Sequence, residues 1–409
     1  MKFHILFVDD DRKVLDGLRR MLSDMRREWR MHFAESGPAA LEVLAAAPVD
    51  VVVTDMRMPG MDGADLLEIV QREHPEVIRL VLSGYTERES LDRVFPPSHQ
   101  FLSKPCPKDV LVSTITNALN SRNLLRGTGL RALVGSITRL PSLPEIYRQV
   151  ASEIAKDEPS MERLGAIIGQ DVAMTARLLK LVNSPFFGMT RKILSPVQAV
   201  NLVGINYLQS LIMACATFDS CEVSIPGYSL RRLMEHSLRT SCASAQIAAL
   251  EGVAAEARDE YMTAGLLHDI GKLVLATNLP EAYARIIATV QREPRPVHEV
   301  EMEVLGATHA EMGAYLLRLW GLSDSVVDAA LLHHAPCTIE PSLSPSLAVY
   351  CANVLDRELV VINPGYHRPA IDDVYLQRSG LAPRLEAWRA GLEKICRRVE
   401  GDEAQDSHS

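Results

Sequence analysis

Up to about residue 120, short strand-like runs alternate with helical stretches, and that alternation restricts the first part of the chain to one kind of fold. The runs are HILFV (4–8), MHFAE (31–35), VDVVVTD (49–55), VIRLVLS (77–83) and HQFLSK (99–104). Five β/α repeats of this kind imply an α/β, doubly wound, five-stranded parallel sheet. Helices cover both faces of such a sheet, so its central strands should be the least polar, as VVV at 51–53 and LVL at 80–82 are. Function then gathers outside the carboxyl ends of the strands.

Past residue 121 the pattern changes. The stretch SRNLLRGTGLR (121–131) is a polar, Gly-containing connector, after which strand-like runs largely disappear. Apolar residues now recur at three to four positions: Leu164, Ile167 and Ile168; Leu178, Leu179, Leu181 and Val182; Leu208, Leu211 and Ile212. Ser195-Pro196 reads as a helix cap and first helical residue, and Thr308 with Glu311 as a capping box. The expected organisation is an α/β domain over 1–120, a linker at 121–129, an all-α domain over 130–340, its C-terminal helical extension over 341–400, and a disordered tail at 401–409. The extension carries Leu376, Leu381, Leu385, Trp388, Leu392 and Ile395 in amphipathic order and is expected to pack on its own domain.

Composition excludes several classes. A net charge of -9 disfavours nucleic-acid phosphates as partners, so no direct DNA binding is expected. The seven cysteines are scattered and never in C-x-x-C pairs, which fits a reducing compartment rather than a disulfide framework. The N-terminus MKFHILFVDD has no signal-peptide character, and no run approaches the ~18 apolar residues of a membrane span. A cytoplasmic protein is expected.

Asp9, Asp10 and Asp55 fall at the expected carboxyl ends of the first and third strands, which a doubly wound sheet brings side by side. Crowded carboxylates repel unless a cation neutralises them, and all-oxygen ligands suit Mg²⁺. Ser83 and Lys104 end the fourth and fifth strands, offering a hydroxyl and an ammonium to a phosphoryl group. FVDDD (7–11), VVVTDMRMPGMDG (51–63), LVLSGY (80–85) and FLSKP (101–105) together resemble the receiver domain of two-component response regulators, a flavodoxin-like fold. The resemblance implies that Asp55 is phosphorylated by a sensor histidine kinase or phosphotransfer protein. It also implies that Asp9, Asp10, Asp55 and the backbone carbonyl of Arg57 hold Mg²⁺, and that Ser83 and Phe101 act in the switch. Lys104 would pair with the acyl phosphate, and its bond to Pro105 would be cis.

In the helical part, His236, His268, His298, His309, His333 and His334 stand out, and His268-Asp269 lies in the apolar run MTAGLLHDIGKLVLA, read as helix. A buried imidazole beside a carboxylate is costly unless paired or metal-bound. His298, near Pro294 and Pro296, reads as an exposed loop residue. His236, His268-Asp269, His309 and His333-His334 resemble the HD superfamily of metal-dependent phosphohydrolases. Asn353 stands where the superfamily has its distant Asp, and the Gly-Tyr-Pro motif that follows the His-His pair in HD-GYP phosphodiesterases is missing. PSLP (141–144), LLKLVNSPFFG (178–188) and SPVQAVNLVGINYLQSLI (195–212) resemble the HDOD domain, an HD-related output module usually treated as non-catalytic. Two functions stay open. One is a phosphorylation-switched adaptor that binds a downstream signalling protein, with homodimerisation undecided. The other is a receiver-controlled phosphohydrolase acting on a cyclic dinucleotide, with His236, His268, Asp269, His309, His333 and Asn353 around Mn²⁺ or Fe²⁺.

Overall fold

The computed structural model describes residues 2–74, 77–84, 100–124, 129–130, 133–134, 145–156, 158–184, 187, 193–219, 223–293, 295–335, 342–360 and 367–406. Tyr85 and the side chains of Ser83 and Phe101 lie outside the described residues, as does part of the expected linker. The chain divides into two compact units, one built on residues 1–142 with 315–322, the other on 143–314 and 323–409.

In the first unit β1 (Phe3–Val8), β2 (Trp29–Ala34), β3 (Val51–Thr54), β4 (Ile78–Gly84) and β5 (Gln100–Lys104) form one five-stranded sheet in the order β2-β1-β3-β4-β5, every pairing parallel. This is the doubly wound order of flavodoxin-like folds. Helices α1 (Arg12–Met21), α2 (Gly37–Ala46), α3 (Gly63–Glu73) and α4 (Lys108–Leu124) connect and cover it. Val51, Val52, Leu80 and Val81 are fully buried, each contributing about 1.5–3 kcal/mol relative to exposure. Helix starts follow local chemistry. The Asp11 carboxylate caps α1, the Ser36 hydroxyl caps α2, and Asp62 with Asp65 forms a capping box on α3. Val8 pairs with Thr54, so Asp9 and Asp55 leave adjacent strands together.

Among the described residues the second unit is wholly helical. Its first half comprises α5 (Glu145–Ile154), α6 (Met161–Gly169), α7 (Val172–Val182), α8 (Pro196–Val203) and α9 (Ile205–Asp219). There follow α10 (Leu230–Leu250), α11 (Ala255–Leu267), α12 (Ile270–Asn278), α13 (Pro280–Arg292), α14 (Val297–Leu305), α15 (His309–Leu319), whose residues from Tyr315 on are counted with the first unit, and α16 (Asp324–Leu332). The last are α17 (Pro345–Leu359), α18 (Asp373–Arg378) and α19 (Leu385–Asp406). Ser195 and Pro196 start α8, and Thr308 and Glu311 exchange the reciprocal bonds of a capping box, both as the sequence suggests. Leu376, Trp388, Leu392 and Ile395 join a core with Ile247, Ala248, Leu347 and Leu355, so the C-terminal segment packs on its own unit. Trp388 Nε1 and Arg384 Nε both donate to Glu251 Oε1 at 2.8 Å and fix that segment in place.

Three expectations need correction. MTAGLLHDIGKLVLA is not one helix: α11 ends at Leu267, α12 starts at Ile270, and His268-Asp269 forms the turn between them. The His268 ring bonds back to the Gly265 carbonyl, withdrawing that acceptor from the helical ladder. His298 is a half-buried residue of α14 whose ring stacks on His334, with centroids 4.3 Å apart, rather than an exposed loop residue. Pro296 marks the start of that helix instead of a loop. Residues 401–406, expected to be disordered, continue α19, because extending a helix already anchored by Trp388 requires propagation and no new nucleus.

Candidate functional site

At the carboxyl edge of the sheet, Lys104 Nζ donates to Asp9 Oδ2 at 2.6 Å and to Asp55 Oδ1. The backbone N–H of Arg57 donates to Asp55 Oδ2 at 3.0 Å, and that of Asp11 to Asp9 Oδ1 at 3.0 Å. Asp9 and Asp55 are buried, while Asp10 is exposed beside them. Burial raises the Asp9 carboxyl above its ordinary range despite Lys104 and the Asp11 amide. Burial works against the Lys104 ammonium, but its bonds to Asp55 and Asp9 prevail and hold its pKa up. Gly63 makes the arrangement possible: a Cβ there would lie 2.1 Å from the Asp55 carbonyl oxygen. The Lys104–Pro105 bond is cis, as expected. Asp9, Asp10 and Asp55 present only carboxylate oxygens, the donor type Mg²⁺ takes, so this edge fits the ion.

In the helical unit the histidines converge. His236 Nδ1 bonds Asp356 Oδ2 at 2.6 Å, His268 Nδ1 bonds the Gly265 carbonyl at 2.8 Å, and His333 Nδ1 bonds the Ala330 carbonyl at 2.7 Å. His309 Nδ1 bonds Glu301, which also accepts the His309 backbone N–H at 2.8 Å. Carboxylates and carbonyls accept, so each Nδ1 donates and each Nε2 faces inward. At the centre is Asp269. Its Oδ1 lies 3.3 Å from His309 Nε2 and 3.4 Å from His333 Nε2, and its Oδ2 lies 3.6 Å from His236 Nε2 and 3.5 Å from His268 Nε2. His334 Nε2 is 3.0 Å from His309 Nε2.

Burial lowers His268 well below its ordinary value, and lowers His333 to about 4. Burial would raise Asp269, but Lys272 and the surrounding imidazoles hold it well below the usual range. His309 runs the other way: burial opposes its charge, yet Glu301 lifts its pKa.

Two ligand sets share Asp269: His236, His268 and Asp269; and Asp269, His309, His333 and His334. Within them His236 Nε2, His268 Nε2 and Asp269 Oδ1 are buried without a hydrogen-bond partner. Inward Nε2 atoms anchored through Nδ1 are how imidazoles are oriented toward a metal, so the residues fit a divalent transition ion. Asn353 sits apart in role, its Oδ1 accepting from Arg357 Nε at 3.1 Å.

Sequence reasoning passed over Glu301, Asp356, Arg239 and Lys272, and left His334 and Arg357 without a role. Lys272 Nζ donates to Asp269 Oδ2 at 2.6 Å, and Arg239 Nη2 and Nε reach Asp356 at 3.1 and 2.5 Å. A usable signal was present: Lys272, Arg239 and Asp356 each follow a predicted site residue by three positions, one helical turn. Glu301 carries no such signal.

The chain thus joins a parallel five-stranded sheet with a lysine-bridged aspartate pair to a helical unit with a buried His/Asp centre. Residues 5–116 match the response regulator receiver domain and residues 140–336 the HDOD domain. The chain belongs to the response regulators that carry an HDOD output, an architecture of phosphorylation-controlled two-component signalling, and its receiver domain implies a sensor kinase or phosphotransfer partner.

A solved HDOD domain protein of unknown function from Geobacter sulfurreducens is 22% identical, covers 66% of this chain and 98% of its own, with a TM-score of 0.52, and shares the fold. An uncharacterized protein of Treponema pallidum is 29% identical over 56% of this chain and 46% of its own length. The hydrogenase transcriptional regulatory protein HoxA of Cupriavidus necator is 34% identical over 29% of this chain and 25% of its own. The chain thus spans less than half the length of these curated relatives. No helix among the described residues is long and apolar enough to cross a membrane.

Proposed function

We propose that Asp55 accepts a phosphoryl group from a sensor histidine kinase or phosphotransfer protein, and that this switches the HDOD output between two states of contact with a downstream signalling protein. The observation that supports it is the Lys104 bridge between Asp55 and Asp9. An Asp55 carboxylate oxygen attacks phosphorus, the O–P bond forms as the donor's P–N bond breaks, and the pair of electrons leaves on the imidazole nitrogen. Asp9, Asp10, Asp55 and the Arg57 carbonyl would hold Mg²⁺, which supplies the positive charge that lets one anion approach another. Lys104 turns from Asp55 to the new phosphoryl oxygens, and Ser83 and Phe101 follow. The test is incubation of the full chain with a small phosphodonor and Mg²⁺, read by phosphate-affinity electrophoresis. A retarded band that vanishes in Asp55→Asn supports the reading; an unchanged band in that variant sinks it.

A second reading is favoured by the unpartnered His236, His268 and Asp269 atoms. Here the output centre holds Mn²⁺ or Fe²⁺ through His236, His268, Asp269, His309, His333 and His334, and hydrolyses a phosphoester. Metal analysis of the full chain beside His268→Ala separates the two: stoichiometric metal lost in the variant favours the hydrolase, and metal absent from both favours the adaptor.

A further inference from the structure

In the first unit, β1 and β2 pair in parallel with Leu6 opposite His32. Side chains alternate between the two faces of a strand, so His4, two positions before Leu6, shares a face with His32. The two rings meet there. His32 Nε2 lies 3.2 Å from His4 Nδ1, with ring centroids 5.3 Å apart and ring planes at 29°. Both residues are half-buried, and β2 is the edge strand of the sheet, so the pair is open to solvent on one side.

His4 is also held from β3. Its backbone N–H donates to Asp50 Oδ2 at 2.6 Å, and the Asp50 N–H donates to the His4 carbonyl at 2.8 Å. Strand pairing thus fixes the two Cα positions, and a ligand that uses both rings meets little ordering cost.

Between two neutral imidazoles this contact is one hydrogen bond, one ring donating and the other accepting. The same distance serves a second chemistry. Two metal–nitrogen bonds of about 2.0–2.1 Å place their nitrogens about 2.9 Å apart at a right angle and about 3.3 Å apart at the tetrahedral angle. The observed separation falls between these values. A tautomer shift in the donor ring carries its proton to the far nitrogen, and both near nitrogens then present lone pairs to an ion while the strands stay in place. Burial, His4 and Arg30 all lower the pKa of His32, which keeps its ring neutral. Arg30, opposite His4 on the same face, opposes a cation, and the Asp50 carboxylate against the His4 backbone offsets it.

We propose that His4 Nδ1 and His32 Nε2 form a two-imidazole site for a divalent transition ion of the Zn²⁺ or Cu²⁺ kind, with water in its remaining positions. The ion ties edge strand β2 to β1. The site shares no residue with the aspartate edge or with the His/Asp centre.

The test is amide hydrogen exchange of the full chain, read by mass spectrometry in Mg²⁺ with and without Zn²⁺. Zinc at about 100 times the Kd found by titration should slow the openings that part β2 from β1 by up to about 100-fold. The effect is read at residues 3–8 and 29–34. His32→Gln, which keeps a hydrogen-bonding group at that position, should abolish the slowing, whereas zinc taken up by the output centre would leave exchange in these strands as it was. Titration should count one zinc fewer per chain in His32→Gln and in His4→Gln than in the parent. Unchanged exchange of β1 and β2 in the parent would reduce the pair to a hydrogen bond and overturn the site, a result that needs no variant. Equal slowing in the parent and in His32→Gln would assign the zinc to other residues and overturn it too.

Discussion

Arg239 and His236 both lean on a single buried carboxylate, that of Asp356. Asp356→Ala would strand a guanidinium that is 5% exposed in the core, and the expected cost is about 3–5 kcal/mol. Urea unfolding of the full chain measures it; a loss under about 1 kcal/mol would mean that Arg239 finds water or another partner. The imidazoles set a pH dependence. Burial pushes His298 and His333 down to about 4, whereas an unfolded histidine titrates near ~6.5. Between those values the unfolded chain binds more protons, so the stabilisation is complete above ~6.5 and is lost as pH falls toward ~4. The urea midpoint should therefore drop from pH 7 to pH 5, and drop less in His298→Phe. Equal slopes in the two proteins would show that His298 does not contribute.

At the scale of elements, the sheet was legible because short continuous apolar runs with acidic ends, alternating with helical stretches, are what a parallel sheet covered on both faces requires, down to Asp9 beside Asp55. The helical unit was legible as helices, and its caps at Ser195 and Thr308 were too. The turn at His268-Asp269 was not, because an apolar run flanked by helix formers gives no local stop signal. What enforces the turn is tertiary: α12 and α15 touch backbone to backbone, and a Cβ on Gly271 would lie 1.9 Å from the His309 carbonyl oxygen. Gly271→Ala should push these helices apart, destabilise by about 1–3 kcal/mol or more, and disturb the histidine spacing. Thermal unfolding checks the first effect and metal uptake the second; a variant with the parent's melting temperature would mean the helices slide at little cost. His298 was misread for the same reason, since its burial comes from His334, distant in sequence.

For the molecule as a whole, the receiver and the output must be linked energetically if phosphorylation is to matter. Moving a two-state output from 1:99 to 99:1 takes about 5.5 kcal/mol of preference. Phosphorylation of Asp55 should then change amide hydrogen exchange within residues 143–409, and Asp55→Asn should not respond to the phosphodonor. Identical exchange in both states would mean that the receiver signals through its own surface alone.

Asp269 belongs to both ligand sets and is bonded to Lys272, while α10, the C-terminal caps of α11 and α16, and the first residue of α15 each send a histidine toward it. It is a keystone as much as a reagent. Residues that anchor a core through Nδ1 bonds and a shared carboxylate have a structural task as well as any chemical one, so their presence in a sequence carries little information about whether any bond is cleaved there. Within this architecture, the loss of a catalytic activity need leave no trace at the residues that once performed it, and the informative positions become those like Asn353, where a change of charge could be tolerated.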